Sequence, residues 1–95
     1  MSATTAERIR VCLVDAFSPH EIEIRDDSAL HAGHAGARDG GGHYSVRIVA
    51  GAFAGKGTVA RHRMIYQALG DMMKRDVHAL AIQAISAEEA TKQPT

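Results

Sequence analysis

Cysteine is almost missing: Cys12 is the only one among 95 residues. That excludes an internal disulfide, and any zinc or iron-sulfur site whose thiolates all come from one chain. The same scarcity suits a reducing compartment, so the cytoplasm is the expected location. Tryptophan is absent, and Phe17, Tyr44, Phe53 and Tyr66 are the only aromatic residues. A core must then be built from Ile, Val, Leu, Met and Ala, which suits helices packed on a sheet. Neither sign of charge is in excess, eleven Lys and Arg standing against eleven Asp and Glu. No global field draws the chain to nucleic acid or to an anionic membrane, so such binding requires a local patch. No segment approaches the roughly 20 apolar residues that span a bilayer. Arg8 and Arg10 are not followed by the apolar run of a signal peptide.

What is present reads as one domain over residues 1–95, with an ordered core of about residues 5–86 and a polar, flexible tail from 87 to 95. Thr4 and Glu7 have capping-box spacing, and Ile9, Cys12, Leu13, Ala16 and Phe17 follow at intervals of three and four. They predict a first helix ending before Pro19, with Cys12 as a small hydrophobe on its apolar stripe. Residues 21–25 and 44–50 alternate apolar with polar side chains, as strands with one wet face do. Gly51, Gly55 and Gly57 allow a turn with one short helical turn around Phe53. From Thr58, Val59, His62, Ile65, Leu69 and Met72 keep a helical period to near Asp76, with Gly70 as the weak residue inside it. Residues 78–85 close the order as a strand with Leu80, Ile82 and Ala84 on one side. The order is α-β-β-(α)-α-β, an α+β domain.

Between the two central strands runs DDSALHAGHAGARDGGG, residues 26–42, with five glycines. It is too long for a tight hairpin, and long loops in compact domains are functional or disordered. His31, His34 and His43, three of six histidines, fall within thirteen residues in or beside it. Neutral imidazoles ligate zinc, copper and iron, yet this spacing matches no zinc motif, and a flexible polar loop accounts for it equally. His78 opens the last strand, where a ring at a strand end can serve as a ligand or as an ordinary hydrogen-bonded residue. His62 reads as a partly buried residue of the long helix and His20 as a turn residue.

Other motifs fail on inspection. Residues 51–58, GAFAGKGT, have three residues between glycines where a Walker A loop has four, and Gly57 rather than Ser or Thr follows Lys56. Gly33-His34-Ala35-Gly36 spells the GXXG of KH domains but lies between strands, not helices, and no stacking aromatic accompanies it. Lys56, Arg61 and Arg63 form the one basic patch able to touch a phosphate backbone. No serine stands in a nucleophile elbow and no carboxylate pair is recognisable, so the chain does not read as an enzyme.

Several segments together resemble the BolA family: Asp26-Asp27-Ser28, His31-Ala-Gly-His34, Gly41-Gly42-His43-Tyr44, Val46 to Val49, Phe53-x-Gly55, RHRMIY at 61–66 and VHALAI at 77–82. The resemblance covers about residues 7–85. It implies a type II KH-like α-β-β-α-α-β sandwich, with a three-stranded mixed sheet and helices on one face. It also implies a partner, a monothiol glutaredoxin of the CGFS type, in a heterodimer that shares a 2Fe-2S cluster with glutathione. Mixed thiolate and imidazole ligation of such clusters is sound, as Rieske centres demonstrate. By position, the resemblance makes His78 the ligand from the last strand and His31 the loop ligand, with His34 and His43 as alternatives.

The expected role is thus a non-enzymatic accessory protein in iron-sulfur cluster assembly, transfer or iron regulation. A rival expectation is a DNA-binding transcriptional regulator using Lys56, Arg61 and Arg63, since family members have been described as such. A third is a metal-responsive module whose loop histidines take zinc or copper without a partner.

Overall fold

The computed structural model describes residues 4–27, 42–75 and 77–92, with His78 and Lys92 described through their backbone alone. Helix α1, Thr5–Phe17, begins at the expected capping box. Thr4 Oγ1 accepts the Glu7 N–H at 3.1 Å, and Glu7 Oε2 accepts the Thr4 N–H at 3.3 Å, satisfying two donors that a helix start leaves open. The helix stops where Ser18 turns left-handed, at φ 45°, and donates its N–H to the Val14 carbonyl, ahead of Pro19.

Strand β1, Glu21–Asp26, pairs antiparallel with β2, Gly42–Val49, which pairs parallel with β3, Val77–Ile85. The sheet is therefore mixed, in the order β1-β2-β3, as expected. Parallel neighbours need a crossover. Here it consists of a 3-10 turn, Gly51–Phe53, helix α2, Thr58–Leu69, and helix α3, Met72–Arg75.

Alternation along β2 divides the sheet into two faces. Tyr44, Val46 and Ile48 are buried, whereas His43, Ser45 and Arg47 between them are half-buried. Ile9 and Leu13 of α1, Ile65 and Leu69 of α2, Met72, Phe53 and Val77 complete the core on the first face. Phe53 is fully buried, its ring centroid 5.1 Å from that of Phe17. Cys12 is half-buried against this core, its Sγ 3.9 Å from Met72 Sδ, consistent with packing. No helix among the described residues is long and apolar enough to cross a membrane.

Two expectations need correction. The long helix does not run to Asp76: it ends at Leu69, because Gly70 adopts φ 57°, ψ −127° while its N–H caps the Tyr66 carbonyl at 2.9 Å. That conformation is open to glycine and strained for other residues. It redirects the chain so that Met72 still reaches the core from α3, while Val59, expected on the apolar stripe, is 69% exposed.

The second correction concerns the tail. Residues 87–92 form helix α4, Ala87–Lys92. Ser86 Oγ accepts the Glu89 N–H at 3.2 Å, and Glu89 Oε1 accepts the Ser86 N–H at 2.8 Å. No apolar stripe follows this second capping box, and the contact that fastens the helix is with distant Arg61.

Hydrogen bonding from the Ser86 backbone, then from Arg61 and the Ser86 hydroxyl, lowers the Glu89 pKa from 4.5 to about 2. Because the folded value is depressed, the stabilisation is complete above the unfolded pKa of about 4.5 and is lost as pH falls toward 2. Carbon-13 NMR of the Glu89 carboxyl should titrate near pH 2, and Arg61→Gln should raise the midpoint part of the way to 4.5. A wild-type midpoint near 4.5 would refute the clasp.

Candidate functional site at one end of the sheet

The parallel pairing of β2 and β3 brings their N-terminal ends together, and the antiparallel pairing adds the C-terminal end of β1. Asp26 lies opposite Tyr44, and the next residue, Asp27, donates its N–H to the His43 carbonyl at 2.7 Å. The histidine-bearing connection leaves from Asp27 and returns at Gly42, so both its anchor points are at this sheet end. His31 and His34 lie outside the described residues.

At the start of β3 the register slips. Gly42 pairs with Val77 and His43 with Ala79, so His78 has no Cα partner on β2. This has a packing consequence. Val77 is buried and Leu80, three residues on, is packed against the same core, a spacing that strict alternation forbids and one extra residue permits. Hence the backbone of His78 sits at the slip, directly beside the strand segment that carries His43. Period-two reading began the strand at His78 and had no signal for the slip.

His43 shares its parity with Ser45 and Arg47, so it belongs to the face opposite the helices. Next to it, the Asp27 carboxylate accepts the Arg25 Nε–H at 2.8 Å and the Ser45 hydroxyl at 2.5 Å, and its side chain is only 15% exposed. Charge-assisted bonds of this kind are short and directional. They pin the last residue before the connection to both β1 and β2, a role that Asp27 did not carry in the sequence reading. Gly42 is the other anchor: a Cβ there would run into the Tyr44 ring.

The open face also carries a groove of about 360 Å³ lined by Glu23, Arg25, Ser45, Arg47, Ala81 and Gln83. Its two arginines are already paired, Arg25 with Asp27 and Arg47 with Glu21 at 3.5 Å, so it concentrates no charge of one sign. Among the described residues no group of three or more His, Cys, Asp or Glu is arranged to hold a metal ion.

The three basic candidates separate. Lys56 and Arg63 are exposed, whereas the Arg61 side chain is 13% exposed. Arg61 donates Nε–H to the Lys56 carbonyl at 2.8 Å, and its NH1 to the Ala84 carbonyl at 2.9 Å and to Glu89 Oε1 at 2.6 Å. It ties the glycine-rich turn, β3 and α4 together.

Substitution tests the sheet-end packing. Gly42→Ala should cost about 1–3 kcal/mol by forcing the Tyr44 ring aside. Gly51→Ala, where an added Cβ meets nothing within 4 Å, should stay within about 0.5 kcal/mol of wild type. Urea denaturation measures both, and equal stabilities would contradict the packing described.

Comparison with known proteins agrees with this architecture. The family model for BolA-like protein matches residues 13–89. The chain is 48% identical over 82 residues to SufE-like protein 1, chloroplastic/mitochondrial, of Arabidopsis thaliana, covering 81% of this chain and 22% of that protein. It therefore spans about a fifth of that relative's length. It is 37% identical over 83 residues to the DNA-binding transcriptional regulator BolA of Escherichia coli, covering 87% of this chain and 76% of that one. Among solved structures, the BolA domain of SufE1 from Arabidopsis thaliana superposes with a TM-score of 0.80 at 42% identity, over 94% of this chain and 99% of that one. The matched residues run from Leu13 in α1 through all three strands to Glu89 in α4, and on that ground the chain belongs to the BolA-like family.

Proposed function

We propose that this protein is a non-enzymatic accessory factor that supplies imidazole ligands to a 2Fe-2S cluster, in a heterodimer with a monothiol glutaredoxin of the CGFS type and its glutathione. The observation that supports this most is the convergence at one sheet end of His43, the backbone of His78 and both anchors of the connection bearing His31 and His34. The donor set fits such a group in kind: imidazoles suit iron when thiolates arrive from elsewhere. The lone Cys12 packs against the core, so in this reading the thiolates come from the partner.

In this reading His78 is the ligand from β3 and one of His31, His34 or His43 is the second, with His31 favoured by position. When bound, the cluster would supply one-electron chemistry or be passed on as cargo. The chain's own part would be to present two imidazoles at this sheet end. The register slip places the backbone of His78, while the Asp27 bonds to Arg25, Ser45 and the His43 carbonyl stiffen the point where the loop departs. Ligands oriented by such outer contacts hold metal more tightly than mobile ones.

Mixing the protein with a cluster-loaded, glutathione-bearing monothiol glutaredoxin should change its visible circular dichroism, and His78→Ala should lose most of that change. The loop ligand is the one among His31→Ala, His34→Ala and His43→Ala with a comparable loss. A spectrum indifferent to the protein, or altered equally by His78→Ala, would contradict the assignment.

A DNA-binding role is a second reading. It is favoured by the name of the Escherichia coli relative and by exposed Lys56 and Arg63 around α2, whose first turn holds no acidic residue. It calls for salt-dependent binding that weakens in Arg61→Ala and Arg63→Ala and ignores His31→Ala and His78→Ala.

A further inference from the structure

Helix α4 has six residues, well short of the roughly 12–15 at which an isolated helix becomes even marginal in water. None of its described side chains is buried: Ala87 and Ala90 are half-buried, and Glu88, Glu89 and Thr91 are exposed. Burial therefore contributes little to holding it. What fastens it is polar and centred on one carboxylate, since Glu89 Oε1 accepts both the Ser86 N–H and Arg61 NH1.

The other partner of that contact is the Arg61 guanidinium, on a side chain that is 13% exposed. Arg61 is held from behind by the carbonyls of Lys56 and Ala84, two neutral acceptors that fix its direction without cancelling its charge. Its Nε bond keeps it close to the backbone of exposed Lys56. Among the described residues it is Glu89 that neutralises it, at 2.6 Å and from a side chain that is itself 49% exposed. With its carboxylate half open to solvent, this ion pair is accessible to a competing anion. A phosphate is a fitting competitor, because it accepts the same charge-assisted bonds from a guanidinium.

We propose that α4 is a masking strap: Glu89 occupies Arg61 as an intramolecular anion, and the phosphate backbone of a DNA duplex must displace it to enlist Arg61 beside Lys56. This rests on the DNA-binding reading and concerns its regulation. Once Glu89 lets go, α4 has lost the contact that fastens it and melts, so DNA binding and undocking of the strap are coupled. The chain then binds duplex weakly while strapped and more strongly when the strap is released.

Fluorescence anisotropy with a short random-sequence duplex, over a range of salt concentrations, tests this on the full chain. Glu89→Gln keeps an acceptor for the Ser86 N–H, as glutamine serves in capping boxes, but removes the charge. It should tighten binding about three- to tenfold and steepen the log–log salt slope, because wild type must first break an ion pair that salt itself loosens. Glu88→Gln makes the same change in net charge outside the clasp and should leave both quantities near wild type. Adding Arg61→Gln to Glu89→Gln should abolish the gain, and far-UV circular dichroism verifies that each variant is folded. If Glu89→Gln and Glu88→Gln behave alike while Lys56→Gln weakens binding, the mask is wrong and the DNA reading stands. If neither wild type nor Glu89→Gln binds duplex at low salt, both are wrong.

Discussion

The parallel pairing of β2 with β3 is the constraint from which the rest of the molecule follows. A parallel neighbour cannot be reached by a hairpin, so residues 50–76 must leave one end of the sheet and return to the other. The helices of that crossover contribute Ile65, Leu69 and Met72 to the core that α1 also covers. One face of the sheet is thereby buried and the other stays polar. The same pairing sets the start of β3 beside the start of β2 and the end of β1. A candidate site gathered from residues 27, 43 and 78 is a product of strand direction as much as of side-chain chemistry.

Within that frame, small polar devices decide where the chain turns. Gly70 ends α2 through a backbone conformation that other residues resist. The Asp27 carboxylate bridges Arg25 and Ser45 at the sheet end, and Arg61 bridges the glycine-rich turn, β3 and α4 at another. Arg25–Asp27, Arg47–Glu21 and Arg61–Glu89 are thus paired locally, and with eleven charges of each sign the chain has no net charge to set up a long-range field.

Most of the fold was legible in the sequence, for identifiable reasons. The Thr4–Glu7 capping box, the alternation through Tyr44, Val46 and Ile48 and the stripe through Ile65 and Leu69 are local patterns, and local patterns survive folding. Gly70 was seen as a weak point but not as an end, because the hydrophobic period continues to Met72 across the break. α4 was missed because its stability comes from Arg61, twenty-eight residues away, and no periodicity announces such a contact. The site divides in the same way. Its histidines stand out by clustering, but the anchoring of Asp27 and the slip at His78 arise from pairing between strands and leave no mark on either strand alone.

The proposed role of this sheet end is to supply imidazole nitrogen to an iron-sulfur cluster whose thiolates come from a partner. Pulsed electron paramagnetic resonance of the reduced complex, with this chain alone labelled with nitrogen-15 at histidine, tests it most directly. Strongly coupled nitrogen-15 from two histidines is expected, one of which disappears in His78→Ala. A reduced cluster with no strong nitrogen-15 coupling from this chain would contradict it.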